Sequence, residues 1–181
     1  MAARQRELLV VDGYNVLYKS PRYLARMDTP EEQTDNDPFS RARDLLISDV
    51  AAYAQGRYEA VVVFDAAGNV SSERPNLPQA GVRVIYSQTG ESADTVIERL
   101  VTESRLAPRA VTVVTSDNTI RATVGGIPVT RVSSDVLVTD IGAMNAEVEG
   151  VMREEGHHHM TLEDRLDPKT RAKLDQLLGR G

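Results

Sequence analysis

Two hydrophobic rhythms alternate along this chain. Short apolar segments of strand length occur at Leu8-Leu9-Val10-Val11, Ala60 to Phe64, Val82 to Tyr86 and Ala110 to Thr115. The second of these is continuously apolar, which predicts a strand covered on both faces. Between them, apolar residues recur every three or four positions. Phe39, Ala42, Leu46, Val50 and Tyr53 predict a helix, with Asp37 as N-cap, Pro38 at the first helical position and Gly56 as its stop. Ala93, Val96, Ile97, Leu100 and Val101 predict a second helix opened by Ser92, and Leu137, Ile141, Met144, Val148 and Val151 a third over 134–151. Residues 128–132 predict a short final strand, and Ser116-Asp117 the start of a short helix. Residues 28–37, with five acids and no base, and the turn-rich 66–81 read as loops.

Strand–helix alternation predicts an α/β fold, with a mostly parallel central sheet flanked by helices. Beyond Arg153 the composition turns polar. The expected organisation is therefore one domain over 1–152, followed by a linker at 153–161 and a C-terminal helical tail. The tail's apolar residues are few: Leu162, Leu166, Leu174, Leu177 and Leu178.

Composition narrows the function classes. The 181 residues fit one domain with appendages, and 41% hydrophobic residues, without Trp and with two Phe, imply aliphatic packing. The absence of Cys excludes disulfides, thiolate zinc sites and Cys nucleophiles, and agrees with a cytoplasmic setting. No apolar run reaches membrane-spanning length and no signal peptide is visible, so no membrane partner is expected. A net charge of −6 argues against strong non-specific nucleic-acid binding, but not against a local basic patch.

The acids carry the most information. Asp12, Asp65 and Asp117 follow predicted strands, and Asp94 lies in the first turn of the helix after the third strand. A parallel sheet gathers the carboxyl ends of its strands at one edge, where ligands of open α/β sheets bind. Converging carboxylates repel one another unless protonated or joined by a cation, for which Mg²⁺ is the usual answer. Each acid also has a plain structural reading. Asp12 and Asp65 suit turns, Asp94 complements a helix dipole, and Ser116 or Asp117 suits a cap. Asn15 suits either a helix N-cap or an amide that orients a metal-bound water or a phosphate. Glu91 either shares the site or sits in its loop.

Val11-Asp12-Gly13-Tyr14-Asn15-Val16, Val63-Phe64-Asp65, Glu91-Ser92-Ala93-Asp94 and Thr115-Ser116-Asp117-Asn118 resemble, in order, the motifs of NYN-domain proteins. These are PIN-like nucleases, and the YacP-like branch matches best. The resemblance covers roughly residues 7–150, and the tail from Leu162 to Pro168 is similar to the extension of actinobacterial members. It implies a PIN-like three-layer fold and a Mg²⁺- or Mn²⁺-dependent endoribonuclease. Asp12, Asp94 and Asp117 would be the metal ligands, and Asn15 and Asp65 would complete the catalytic set. It also links the activity to mRNA on ribosomes.

These residue types suit phosphodiester hydrolysis, which needs an activated water and charge neutralisation at phosphate. No His is required, and the run His157-His158-His159 sits in the polar linker. Lys19, Arg22 and Arg26, with Tyr18 and Tyr23, form a basic and aromatic segment that suits an RNA backbone and bases, or else a solvated surface. Arg41 and Arg43 stand as additions to it. Ser116, Asn118 and Arg121 are further candidate substrate contacts. The rival class is a non-catalytic RNA- or ribosome-binding adaptor on the same fold. A haloacid-type phosphatase is disfavoured because Gly13-Tyr14 follows Asp12 where an Asp-x-Asp pair is required.

Overall fold

The computed structural model describes residues 6–27, 37–66, 78–104, 109–116, 123–124 and 127–158. The strands are β1 (Glu7–Asp12), β2 (Tyr58–Phe64), β3 (Pro78–Gln79), β4 (Val82–Tyr86), β5 (Val111–Val114), β6 (Thr123–Val124) and β7 (Ile127–Val132). The helices are α1 (Gly13–Lys19), α2 (Pro21–Leu24), α3 (Ser40–Ala54), α4 (Ala93–Glu103) and α5 (Ser134–His158). Sheet order is β3-β4-β2-β1-β5-β7-β6. The run from β4 to β7 is parallel, and the two short edge strands β3 and β6 pair antiparallel with their neighbours. The mixed α/β architecture with a mostly parallel sheet is the one the hydrophobic rhythm predicts. Two compact units divide the chain, Met1–Ile141 and Gly142–Gly181, and the whole sheet belongs to the first.

Alternate residues of the central strands feed two apolar layers. Leu9, Val11, Val62 and Phe64 pack with Val16, Leu46, Val50, Leu137 and Ile141 from α1, α3 and α5. Leu8, Val10, Val61 and Val63 pack with Val96, Ile97, Leu100 and Val101 from α4. Both faces of β1 and β2 are thus covered, which explains why their sequences lack a polar alternation.

Three local expectations need correction. First, α3 begins at Ser40, not at Pro38. Asp37 accepts a bond from the Phe39 N–H at 3.1 Å, but its carboxylate is committed to Arg43, six residues on. Second, 78–81 is not simply loop. Ala80 (φ 52°) and Gly81 (φ 81°) make a two-residue connection of the type I′ kind, joining β3 to β4. Third, residues 153–158 continue α5 rather than forming a linker. Arg153, Glu154 and Glu155 are good helix formers, so a polar composition alone does not end the helix. Residues 159–181, including the rest of the expected linker and the leucine-bearing tail, lie outside the described residues.

Among the described residues Arg43 is the largest buried polar side chain, with 1% exposure. Its guanidinium pairs with the equally buried Asp37, donates to the Tyr14 hydroxyl at 3.0 Å, and lies 5.9 Å from the Phe64 ring centroid and 6.0 Å from that of Tyr86. Burial alone would lower its pKa, but the bond to Asp37 and the surrounding groups raise it overall, so the ion stays charged. Removing one member of such a pair strands the other charge in an apolar setting. Asp37→Asn or Arg43→Met alone is expected to lower stability by roughly 3–5 kcal/mol. The double variant is expected to recover much of that loss. Urea midpoints at unchanged m-value check this, and additive losses would contradict it.

Candidate active site

β1 delivers Asp12 to the carboxyl edge of the sheet. There it caps α1, its Oδ1 accepting from the Asn15 N–H at 3.1 Å. One strand over, Asp65 follows Phe64 at the end of β2. Its Oδ2 accepts from the Ala93 N–H at 3.3 Å, tying the exit of β2 to the start of α4. Ser92 caps α4 by accepting from the Thr95 N–H at 3.2 Å, which sets Asp94 in the first turn. Asp12, Asp65 and Asp94 line one open cleft of about 270 Å³ with Tyr14, Asn15, Tyr18, Ser92 and Ala93. A larger cleft, of about 380 Å³, lies where β2 begins and α3 ends, and its lining includes no acid. Size therefore does not choose the site; the three acids that line the smaller cleft do.

The cleft's acids suit a hard cation, since all their donors are carboxylate oxygens. Among the described residues, no three His, Cys, Asp or Glu side chains come close enough to enclose a metal ion by themselves. Asp117, the further acid expected here, lies outside the described residues, as do Asn118 and Arg121. Its chain neighbour Ser116 is held at the same edge. The Ser116 N–H donates to Asn15 Oδ1 at 3.1 Å, and the Ser134 hydroxyl donates to the same oxygen at 2.6 Å. Ser134 N–H in turn donates to Ser116 Oγ at 3.3 Å. Asn15 is thus a fastening between the ends of β1, β5 and the start of α5, and the α1 cap is Asp12.

The basic and aromatic segment divides. Tyr23 is buried, its hydroxyl donating to Asp49 at 3.1 Å, so it presents no face for a base. Arg22 makes a two-point contact with the same carboxylate, at 3.1 and 3.3 Å. Arg43 is core. Lys19 stays exposed, 3.7 Å from Asp135. Tyr18 remains as an aromatic wall of the cleft, 58% exposed and in ring contact with Tyr14 and Phe39. Glu91 turns to Arg99 and accepts from the Gln88 N–H, and it is not among the cleft residues. The Arg99 bond, above all, holds its carboxyl below the usual range.

Sequence reading missed Ser134 and Tyr14 as parts of this site. The only signal for Ser134 was its place at a helix start. The burial of Tyr14 against Phe64, at 5.3 Å between centroids, carried none.

Gly13 has a packing reason. A Cβ there would lie 2.3 Å from Cε1 of the buried Phe64 ring. Gly13→Ala is expected to cost about 1–3 kcal/mol, the usual scale of overpacking, and to disturb the nearby Asp12 and Asn15. Thermal melting checks this, and an unchanged melting temperature would contradict it.

Tyr23 supplies a pH test. Burial first, then the charge and hydrogen bond of Asp49, push its phenol above the ordinary value of 10. The folded state therefore holds this proton more tightly than the unfolded one. Its stabilising contribution is complete below pH 10 and is lost as pH rises through the folded value. Tyr23→Phe is expected to cost about 1 kcal/mol at neutral pH and to flatten the decline above pH 10. Denaturant titrations at several alkaline pH values check this, and parallel declines in the two proteins would contradict it.

A mostly parallel α/β sheet with aspartates gathered at its carboxyl edge is the frame of an NYN domain. The chain belongs to the YacP-like NYN domain family, whose sequence profile it matches over residues 9–179. NYN domains are generally ribonucleases. The chain is 26% identical over 147 residues to the uncharacterized protein YacP of Bacillus subtilis (strain 168), covering 81% of this chain and 82% of that one. It superposes on the crystal structure of Rae1 (YacP) from Bacillus subtilis with a TM-score of 0.65 at 26% identity, over 96% of this chain and 91% of that one. A point mutant of the same protein gives 0.61 at 25% identity, over 94% and 99%.

Proposed function

We propose that this chain is a metal-dependent endoribonuclease that hydrolyses phosphodiester bonds at the cleft formed by Asp12, Asp65 and Asp94, with Asp117 as the further acid. The observation that supports this reading is that three acids, from β1, the end of β2 and the first turn of α4, line one open cleft. Asp12 and Asp94, with Asp117, are the expected ligands of Mg²⁺ or Mn²⁺. A bound ion there supplies charge neutralisation at the phosphate and a water of lowered pKa. Asp65, fastened to the α4 backbone, keeps the two acidic segments at a set separation and adds negative potential that favours a cation over an anion. Tyr18 offers an exposed ring for stacking an RNA base.

The chain's overall negative charge gives free RNA little electrostatic attraction. Efficient cutting is therefore expected on RNA presented by another particle, and the family resemblance points to the ribosome. Among the described residues no helix is long and apolar enough to cross a membrane. A cytoplasmic setting, where such RNA is available, fits this reading.

The test compares wild type with Asp12→Asn and Asp94→Asn on single-stranded and on ribosome-engaged RNA, with and without Mn²⁺. Cleavage is expected only with the metal, and to fall by roughly two orders of magnitude or more in each variant, the scale for losing one electrostatic partner of a transition state. Millimolar Mn²⁺ is expected to raise the melting temperature of wild type but not of the double variant, because only the folded chain assembles the ligands. Equal cleavage by wild type and both variants would overturn the assignment to this cleft. Binding of RNA or ribosomes without cleavage under any divalent metal would replace it with the adaptor reading.

A further inference from the structure

The carboxamide of Asn15 has one orientation compatible with its surroundings. The backbone N–H of Ser116 is a donor and nothing else, so the Asn15 atom 3.1 Å away is the oxygen. The fully buried Ser134 hydroxyl is 2.6 Å from the same atom. Two donors occupy the two lone pairs of Oδ1, which leaves that oxygen no capacity to ligate a cation. The Nδ2 group projects from the other arm of the planar amide. Among the described residues it has no hydrogen-bond partner, and it is not one of the buried unpaired atoms, so it reaches solvent. Asn15 lines the acidic cleft. Its Nδ2 gives that lining a neutral donor beside acids that, when ionised, only accept.

We propose that Asn15 binds substrate by donating from Nδ2 to a non-bridging oxygen of the RNA phosphodiester, and does not act as a metal ligand. The Ser116 N–H and the Ser134 hydroxyl are its positioning groups. This rests on the phosphodiester reading of the cleft and assigns the amide within it. A phosphate entering a cleft lined by Asp12, Asp65 and Asp94 meets repulsion. An N–H held in place from behind by two bonds meets it with a donor that needs no reorganisation.

Asn15→Asp separates the two roles. It keeps an acceptor for Ser116 and Ser134 but exchanges the N–H donor for a carboxylate oxygen. A metal-ligating Asn15 would become a stronger ligand and retain or gain RNA affinity in Mn²⁺. A phosphate-donating Asn15 loses it. The expected result is Mn²⁺ binding no weaker than wild type, together with at least about tenfold weaker binding of a 2′-O-methyl RNA oligonucleotide, the equivalent of one lost hydrogen bond and an added repulsion. Ser134→Ala is expected to raise KM several-fold with kcat little changed, and Ser134→Thr to restore it.

An independent reading uses wild type alone. In ¹⁵N-labelled protein, the Asn15 side-chain amide signals are expected to shift on titration with dimethyl phosphate. If Asn15→Asp binds the oligonucleotide as tightly as wild type, or if the wild-type amide is silent to dimethyl phosphate, the proposal is overturned, whether or not wild type cuts RNA. If the amide responds but no RNA is cut, the phosphate contact stands and the nuclease reading falls.

Discussion

The parallel pairing of β1 between β2 and β5 is the constraint on which the rest depends. Asp12 lies opposite Val63, and Val11 opposite Val114, so Asp65 and Ser116 leave the sheet within two residues of the level of Asp12. This register is strongly specified. A one-residue slip of β1 would exchange Leu9 and Val11 for Leu8 and Val10 between the two apolar layers and would move Asp12 to the other face. The gathering of acids is therefore a by-product of burying both faces of the central strands.

The helical layer above that edge is held by polar groups that the core encloses. Arg43 and Asp37 sit under Tyr14, and Arg43 donates to its hydroxyl. Burial raises the Tyr14 phenol pKa, with Arg43 opposing, so the ring enters the cleft wall as a neutral group. A parallel fastening uses Asp49 to hold Tyr23 and Arg22. On the far side, Asn15, Ser116 and Ser134 tie three segment ends together. These contacts make the cleft a preorganised feature rather than a gap between loops, and they explain why so many of the polar residues near the acids are not themselves exposed.

Much of this fold was legible in the sequence because burial writes itself as hydrophobic rhythm. The short continuous apolar runs of β1 and β2 read as strands covered on both faces. The Ser92 cap with its 93/96/97/100/101 stripe placed the start and the buried face of α4. Illegible parts had physical reasons. The start of α3 was misread because Asp37 has two uses, and its long-range pairing with Arg43 leaves no trace in local pattern. The edge strands β3 and β6 are two residues each, too short for any period. Arg22 and Tyr23 looked like surface chemistry because a sequence does not show that Asp49, on a distant helix, satisfies both. Of the acids, the strand-end positions of Asp12 and Asp65 and the first-turn position of Asp94 were readable, since chain direction in a parallel sheet dictates which edge they reach. Their partners were not, because Ser134 meets Asn15 only through the tertiary fold.

The most direct measurement of the central claim, that this edge builds a cation-dependent phosphodiester site, is anomalous scattering from crystals equilibrated with Mn²⁺. The account predicts a peak in the cleft, about 2 Å from carboxylate oxygens of Asp12 and Asp94. It also predicts that this peak disappears in the Asp94→Asn protein and does not touch Asn15 Oδ1. A cleft without a Mn²⁺ peak at millimolar concentration, or a peak ligated by Asn15 Oδ1 in place of the aspartates, would contradict it.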